Sequence, residues 1–392
     1  MEQTQLPHNR CEPVKNGPYK IVGIGFKPAA IVYGIPSEKI NIRLLKKYKF
    51  RGKLYFCNLY IQICTKMGGR IVKLKSAGVE ALINVNVGGR LVFFGREGGE
   101  NMIKSDKFLL KETVESEIIP DAFTDFVQFY GQEVWIGPQT QWWKHQTINM
   151  ERRNSPINWP PDPYVSFGRF EVVEKSDTKL VIQGCVSEVS NISLKKIFTL
   201  NDKGLLDCAV EATYHGDGET TIDLWNIVRV SGENVVRICG DLKEIDGPTH
   251  PFEKKAIGKK VGIVYTFCPD EMSVDSVPPE IGWGEDGQVH SGKFHMNMWA
   301  GIIESYNERL GDVLVMCFPI SENLDNETNV SIYPTEGHSL GEVYCYHTLD
   351  KEKSMYELEC HGKAVTLKKG DTASTSISLI LHHSSSFVVN ND

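Results

Sequence analysis

What this 392-residue chain lacks narrows its class first. No run of eighteen apolar residues occurs, so no helix able to span a bilayer is expected. None of the ten cysteines forms a Cys-x-x-Cys pair, which argues against zinc ribbons and dithiol chemistry. There is no phosphate loop and no dinucleotide fingerprint. The first residues, MEQTQLPHNRCEPVKNGPY, are polar and are no signal peptide. Helical periodicity is scarce. Only IPDAFTDFVQFYG (119–131) places Phe123, Phe126, Val127 and Tyr130 on one face, as a short helix or as the lead into the next loop. His290 and His295 flank Lys293 with no acidic ligand at fixed spacing, so no metal and no cofactor are expected. The net charge of −7 gives no reason to expect a nucleic-acid partner.

That charge is unevenly spread. Residues 1–75 carry fifteen Lys+Arg against three Asp+Glu, a net of +12, and the remainder nets −19. We read 1–75 as a basic N-terminal extension, appended or poorly ordered, and 76–392 as one domain. Within the extension, KKYKFRGK (46–53) precedes the apolar LYFCNLYIQIC (54–64). This reads as a buried strand in a cytoplasmic protein, or as an export signal if translation starts near residue 46.

From about residue 77 the pattern is all-β. Short runs of β-branched and aromatic residues recur between turn signals such as NDKG (201–204), HGDG (215–218) and KKGD (368–371). Among the strand-like runs are ALINVNV (81–87), RLVFFG (90–95), KLVIQGCV (179–186), TIDLWNIVRV (221–230), NVSIYP (329–334), EVYCYHTL (342–349) and STSISLILHH (374–383). In all, thirteen or more such runs exceed a nine-strand sandwich and predict two large antiparallel sheets packed face to face. No shared motif repeats every 40–50 residues, which argues against a propeller.

Four of the seven tryptophans lie in EVWIGPQTQWWKHQTINMERRNSPINWPPDPYV (133–165): Trp135, Trp142, Trp143 and Trp159. They alternate with amides, charges and His145. Flat aromatic faces beside planar hydrogen-bonding groups suit a sugar, which has C–H faces and a hydroxyl rim. Prolines 138, 156, 160, 161 and 163 predict a loop. The bland alternative is that the indoles seal one end of a sandwich.

LINVNVGGRLVFFGREGGENMI (82–103) resembles the opening hairpin of galactose-mutarotase-like sandwiches, with Arg90 at the start of its second strand. WIGPQTQWW and WPPDPY (135–164) resemble an uncharacterised bacterial family of that superfamily, as do segments 192–230, 293–319 and 356–381 in the same order. The resemblance covers roughly 80–385. It implies a β-supersandwich of the kind found in carbohydrate-active and carbohydrate-binding proteins. In aldose epimerases a late Glu and a mid-chain His act as base and acid. The resemblance places that His on the strand equivalent to 221–230, where this sequence has Leu224, Trp225 and Asn226.

The expected function is therefore saccharide binding by a β-sandwich of unknown catalysis. The alternatives are a sugar epimerase with a non-standard His/Glu pair and a structural or interaction sandwich without ligand. The candidate catalytic residues are His145 and Glu342, the latter opening a strand after the Gly-rich turn EGHSLG. Glu336, Glu357 and Glu359 are the other late carboxylates considered. The candidate ligand-binding residues are Arg90, Gln139, Trp142, Trp143, Trp159, Asp162, Trp225, Asn226 and Lys293.

Overall fold

A computed structural model describes residues 49–50, 53–54, 71–110, 118–246, 264–266, 290–320, 340–348 and 350–383. The chain divides into two compact units, Met1–Lys66 and Met67–Asp392. In the first unit the described residues form a two-stranded antiparallel pair, β1 (Lys49–Phe50) with β2 (Lys53–Leu54).

The second unit runs β3 (Ile71–Ser76), β4 (Val79–Asn84), β5 (Arg90–Arg96) and β6 (Gln132–Gly137). Two short helices follow, α1 (Met150–Asn154) and α2 (Pro163–Phe167). Then come β7 (Phe170–Lys175), β8 (Lys179–Gly184), β9 (Ile192–Leu200), β10 (Leu206–Tyr214), β11 (Glu219–Ser231) and β12 (Val235–Asp246). The chain continues with β13 (Val264–Thr266), β14 (His290–Asn307), β15 (Asp312–Cys317), β16 (Gly341–His347), β17 (Met355–His361), β18 (Val365–Lys368) and β19 (Thr372–His383).

Most of the strands make two antiparallel sheets, while β12 and β13 pair in parallel. One has the order β6–β11–β17–β16–β14. The other runs β14–β15–β19–β10–β9–β8–β7. Strand β14 belongs to both: its first half pairs with β16 and its second half with β15. Between the halves, Gly301 lies so close to Phe318 that a Cβ would stand 1.8 Å from the Phe318 carbonyl oxygen. Only glycine tolerates that approach.

Alternation explains the core. In β10 every second side chain is buried, the pattern of a strand with one wet face. Leu206, Cys208, Val210 and Ala212 from this sheet meet Leu224, Val228, Phe294, Val343 and Leu358 from the other in one apolar cluster. Strand β17 differs, being buried at all seven positions, so its second face is covered too. Around Trp225 and Ile227 on the neighbouring β11, the cover comes from β6 and the Trp-rich segment after it: Trp135 of β6 and Trp142 and Trp143 of the segment cluster with them.

Two expectations need correction, and a third is not tested. Residues 119–131 form no helix; they are turns and extended chain, with Phe123 and Val127 exposed. The proline-studded stretch is more than loop, because it holds α1 and α2. Asn149 caps α1 by accepting from the Arg152 amide, and Asp162 caps α2, which starts at Pro163. Proline suits a first helical turn because its missing N–H would be unpaired there anyway. The run 329–334 lies outside the described residues.

Candidate functional site

The inner sheet, β6–β11–β17–β16–β14, carries a charged strip on the face opposite the core. Register sets it: Trp135 opposes Trp225, which opposes His361. One step along, Ile227 opposes Glu359, Glu359 opposes Glu342, and Glu342 opposes His295. Another step gives Arg229 against Glu357. The period of two then keeps Asp223, Trp225, Ile227 and Arg229 of β11 on one side. It puts Leu224, Val228 and Val230 on the other, in the core.

At the centre is Lys293. Its Nζ donates to Glu342 Oε2 at 2.9 Å and to Glu359 Oε2 at 2.8 Å, and it lies 4.4 Å from the Trp225 ring centroid. Glu359 Oε2 also accepts from Trp225 Nε1 at 2.7 Å. Trp225 stacks on His361, with ring centroids 4.7 Å apart. His361 Nδ1 is 2.7 Å from Asp223 Oδ2, and His295 Nδ1 is 3.2 Å from Glu342 Oε1. The Asp223 carboxylate needs Gly137 opposite it, because a Cβ there would stand 2.2 Å from Oδ1. Both glutamate side chains are 0% exposed, while Lys293 is 20% exposed and is the member that meets solvent.

Burial and charge tune these groups in opposite ways. Burial, with Glu342 and Glu357 nearby, lifts the Glu359 carboxyl to about 7 against the pull of Lys293. Burial alone would depress His361, but the Asp223 hydrogen bond and the Glu342 charge overcome it and raise the imidazole to about 9. Lys293 is held above its ordinary value: burial opposes its charge, and Glu359 and Glu342 outweigh burial. Among the described residues, Glu359 Oε1, Asp223 Oδ1 and Trp135 Nε1 are buried without a hydrogen-bond partner. Such atoms are uncommon in folded interiors and are what a ligand hydroxyl would satisfy.

Glu342, Glu359 and His361 also bring donor atoms within 4.8 Å of one another, close enough to share a metal ion. The Lys293 ammonium already bridges the two carboxylates, so a metal would have to displace a cation in place.

A second charged group lies further along the same face. Arg90 donates to Glu133 Oε2 at 2.6 Å, Arg229 pairs with the other Glu133 oxygen, and Arg229 Nε donates to Glu357 Oε1 at 2.7 Å. Arg90 and Arg229 side chains are 0% exposed. Burial would raise the Glu133 carboxyl, but the two guanidiniums hold it below its ordinary value.

The residues singled out from sequence thus separate. Glu342, Trp225 and Lys293 meet at the centre. Arg90 is inside the ion-paired group, and Asn226 is fully buried, accepting from Gln132 at 3.4 Å. Trp142 and Trp143 are nearly enclosed and donate to the Ile136 and Pro160 carbonyls at 2.5 and 2.6 Å. Trp159 is 43% exposed, and Gln139 ties it in through the Asn158 carbonyl at 3.0 Å. His145 is exposed and lines a separate groove with Trp142, Trp143 and Asp162. Asp223, His361 and Glu133 escaped the sequence reading. Their signal was polar side chains two apart inside apolar strands. Gly337-His-Ser-Leu-Gly341 also matches the Gly-x-Ser-x-Gly pattern, but Gly341 opens an antiparallel strand, where a nucleophile elbow needs a strand-to-helix turn. Ser339 itself lies outside the described residues.

The fold and this strip define the class: a large antiparallel two-sheet sandwich with a buried charged face under a tryptophan-rich cover. Residues 69–381 match the family described as domain of unknown function DUF4380, and the chain belongs to that family. No curated protein matches it. Among solved structures it is similar to a galactose mutarotase related enzyme from Lactobacillus acidophilus, at 9% identity, covering 80% of this chain and 97% of that one, TM-score 0.48. It is also similar to galactose mutarotase-like proteins from Clostridium acetobutylicum and Lactobacillus casei. The first has 13% identity, 81% and 96% coverage and TM-score 0.47; the second has 11%, 80% and 100%, and 0.42.

Proposed function

We propose that the protein binds a saccharide at the Lys293–Glu342–Glu359 centre. The observation that carries this reading is Glu359. It is wholly buried, it takes both Lys293 and Trp225 on one oxygen, and its other oxygen has no partner among the described residues. An acceptor of this kind, beside an indole and a partly exposed ammonium, is matched by a hydroxyl-bearing ring. Saccharide addition is expected to change tryptophan emission saturably, with the response lost in Glu359→Gln. A Glu359→Gln protein that responds as the wild type does would refute the assignment.

One arrangement favours catalysis as a second reading. Glu359 and His361 bring proton-carrying atoms within 4.8 Å of each other. Burial raises the Glu359 carboxyl while Asp223 and Glu342 raise the His361 imidazole, the direction in which an acid–base pair is tuned. An epimerase would need such a pair to move the anomeric hydroxyl proton and protonate the ring oxygen. Faster anomer exchange by NMR, abolished in Glu359→Gln, separates this reading from binding alone.

A further inference from the structure

The groove on the other side of Trp142 takes no part in the reading above. It has a volume of about 310 Å³, at the small end of ligand pockets. Trp142 and Trp143 line it, with Ser190, Asn191, Thr220 and Thr221 supplying hydroxyl and amide groups. Trp142 also stands 6.2 Å from Trp225, so one ring is shared between this groove and the charged centre.

The groove is held open by unusual backbone. Trp143 has φ +66° and Asn191 has φ +57°, and both line it. A left-handed conformation costs a bulky residue on the order of 1–3 kcal/mol and persists only where the surroundings enforce it. They do so here. Gln146 donates to the Trp143 carbonyl at 3.1 Å, Trp143 donates to Pro160, and Arg152 covers the Trp143 ring at 4.6 Å. On the facing side, Ser190 Oγ donates to Asp162 Oδ2 at 2.6 Å, as does Ser187 Oγ. The lining is therefore set before any ligand arrives.

Its charge selects the ligand. Asp162, Asp217 and Glu219 line the groove, and no lysine or arginine does among the described residues. Asp217 is paired with Lys369 at 3.1 Å, outside the lining, and Glu219 is exposed. A phosphate or carboxylate would meet the Asp217 and Glu219 carboxylates there, with His145 as the lining side chain able to carry positive charge among the described residues. Hydroxyl and amine groups would meet acceptors there. We infer that this groove is a second ligand site, for a neutral or amine-bearing polyol the size of one sugar ring, separate from the Lys293 centre.

The test uses full-length protein carrying 5-fluorotryptophan, with the ¹⁹F signals of Trp143 and Trp225 assigned by single Trp→Phe variants. The probes are glucose, galactose and mannose, their 2-amino derivatives and their uronic acids. The Trp143 signal should shift saturably with neutral and amino sugars, and about tenfold more weakly with the uronic acids, a difference near 1.4 kcal/mol. Thr220→Phe should fill the groove and abolish the Trp143 shift while leaving any Trp225 shift intact. Glu219→Lys, at an exposed position, should narrow the preference for amino over uronic sugars at least threefold. Absence of any saturable Trp143 shift, a shift that survives Thr220→Phe, or uronic acids binding as well as amino sugars would each overturn the proposal. A shift at Trp225 alone would do so while leaving the reading of the charged centre standing.

Discussion

Two groups of buried charges share one face of the inner sheet, and they are built differently. In the Arg90–Glu133–Arg229–Glu357 group two guanidiniums meet two carboxylates, and Glu133 is pulled below its ordinary value. At the Lys293 centre, three carboxylates (Asp223, Glu342, Glu359) face one ammonium and one raised imidazole, and Glu359 is pushed up to about 7. The first group balances its charges and its guanidiniums are closed to solvent, although Arg90 Nε and one Arg229 Nη are buried without a hydrogen-bond partner among the described residues. The second is short of positive charge, keeps a carboxylate oxygen unpartnered among the described residues, and reaches solvent through Lys293. A matched buried group fixes strand register; an unmatched one keeps capacity for a proton or a ligand.

The largest effect should come from breaking the matched group. Arg229→Met leaves Glu133 and Glu357 buried with too little countercharge and should cost about 3–5 kcal/mol of stability by denaturant unfolding. A loss under about 1 kcal/mol would erase the contrast drawn above.

Next is the pH dependence of the centre. His361 is raised from 6.5 to about 9, so the fold keeps a proton that the unfolded chain releases. Its contribution is full below pH 6.5 and is lost as pH rises to about 9, by at most about 3 kcal/mol. Asp223→Asn replaces the carboxylate behind this rise with a neutral amide and should flatten unfolding midpoints across that window. Unchanged midpoints against pH would place the proton elsewhere.

Lys196 tests the matched region from another side. It is buried, donates to the Gly88 carbonyl at 2.7 Å, and is lowered to about 7 by burial and by Arg90. The unfolded chain therefore holds this proton more tightly than the fold does, and stability falls as pH drops from 10.5 towards 7. Lys196→Met should gain on the wild type over that range, measured as the difference in unfolding midpoint.

Glu359→Gln should have the smallest effect on stability, within about 1 kcal/mol, because the carboxyl is already partly neutral near pH 7. Its raised value means the fold loses stability as pH rises from 4.5 to about 7. The variant should therefore be relatively most stable at pH 8. A large destabilisation would make Glu359 structural, like Glu133.

Much of the fold was legible in the sequence, because alternation marks strands that have one wet face. TIDLWNIVRV and EVYCYHTL were read as strands, and β11 and β16 run through them. Strand β14 was harder: eighteen residues serving two sheets carry no single pattern. The centre was half legible. Glu342, Trp225 and Lys293 stood out by residue type and position. Asp223 and His361 did not, because their partnership depends on the register of β11 against β17, which no single strand encodes. The tryptophans were expected to form an open wall. Trp142 and Trp143 instead donate to backbone carbonyls and close over β11, leaving Trp159 as the exposed indole of the four. The groove draws its walls from β6, the Trp segment, the turn before β9 and the start of β11, a proximity that only folding creates.

The most direct measurement is the ¹⁹F signal of Trp225 during saccharide titration, recorded in wild type and in Glu359→Gln together with their unfolding midpoints. A saturable shift in the wild type, absent from a variant of equal stability, is the predicted result. A variant that unfolds as readily as Arg229→Met, with no Trp225 shift from any saccharide in the wild type, would show the centre to be a second structural ion group.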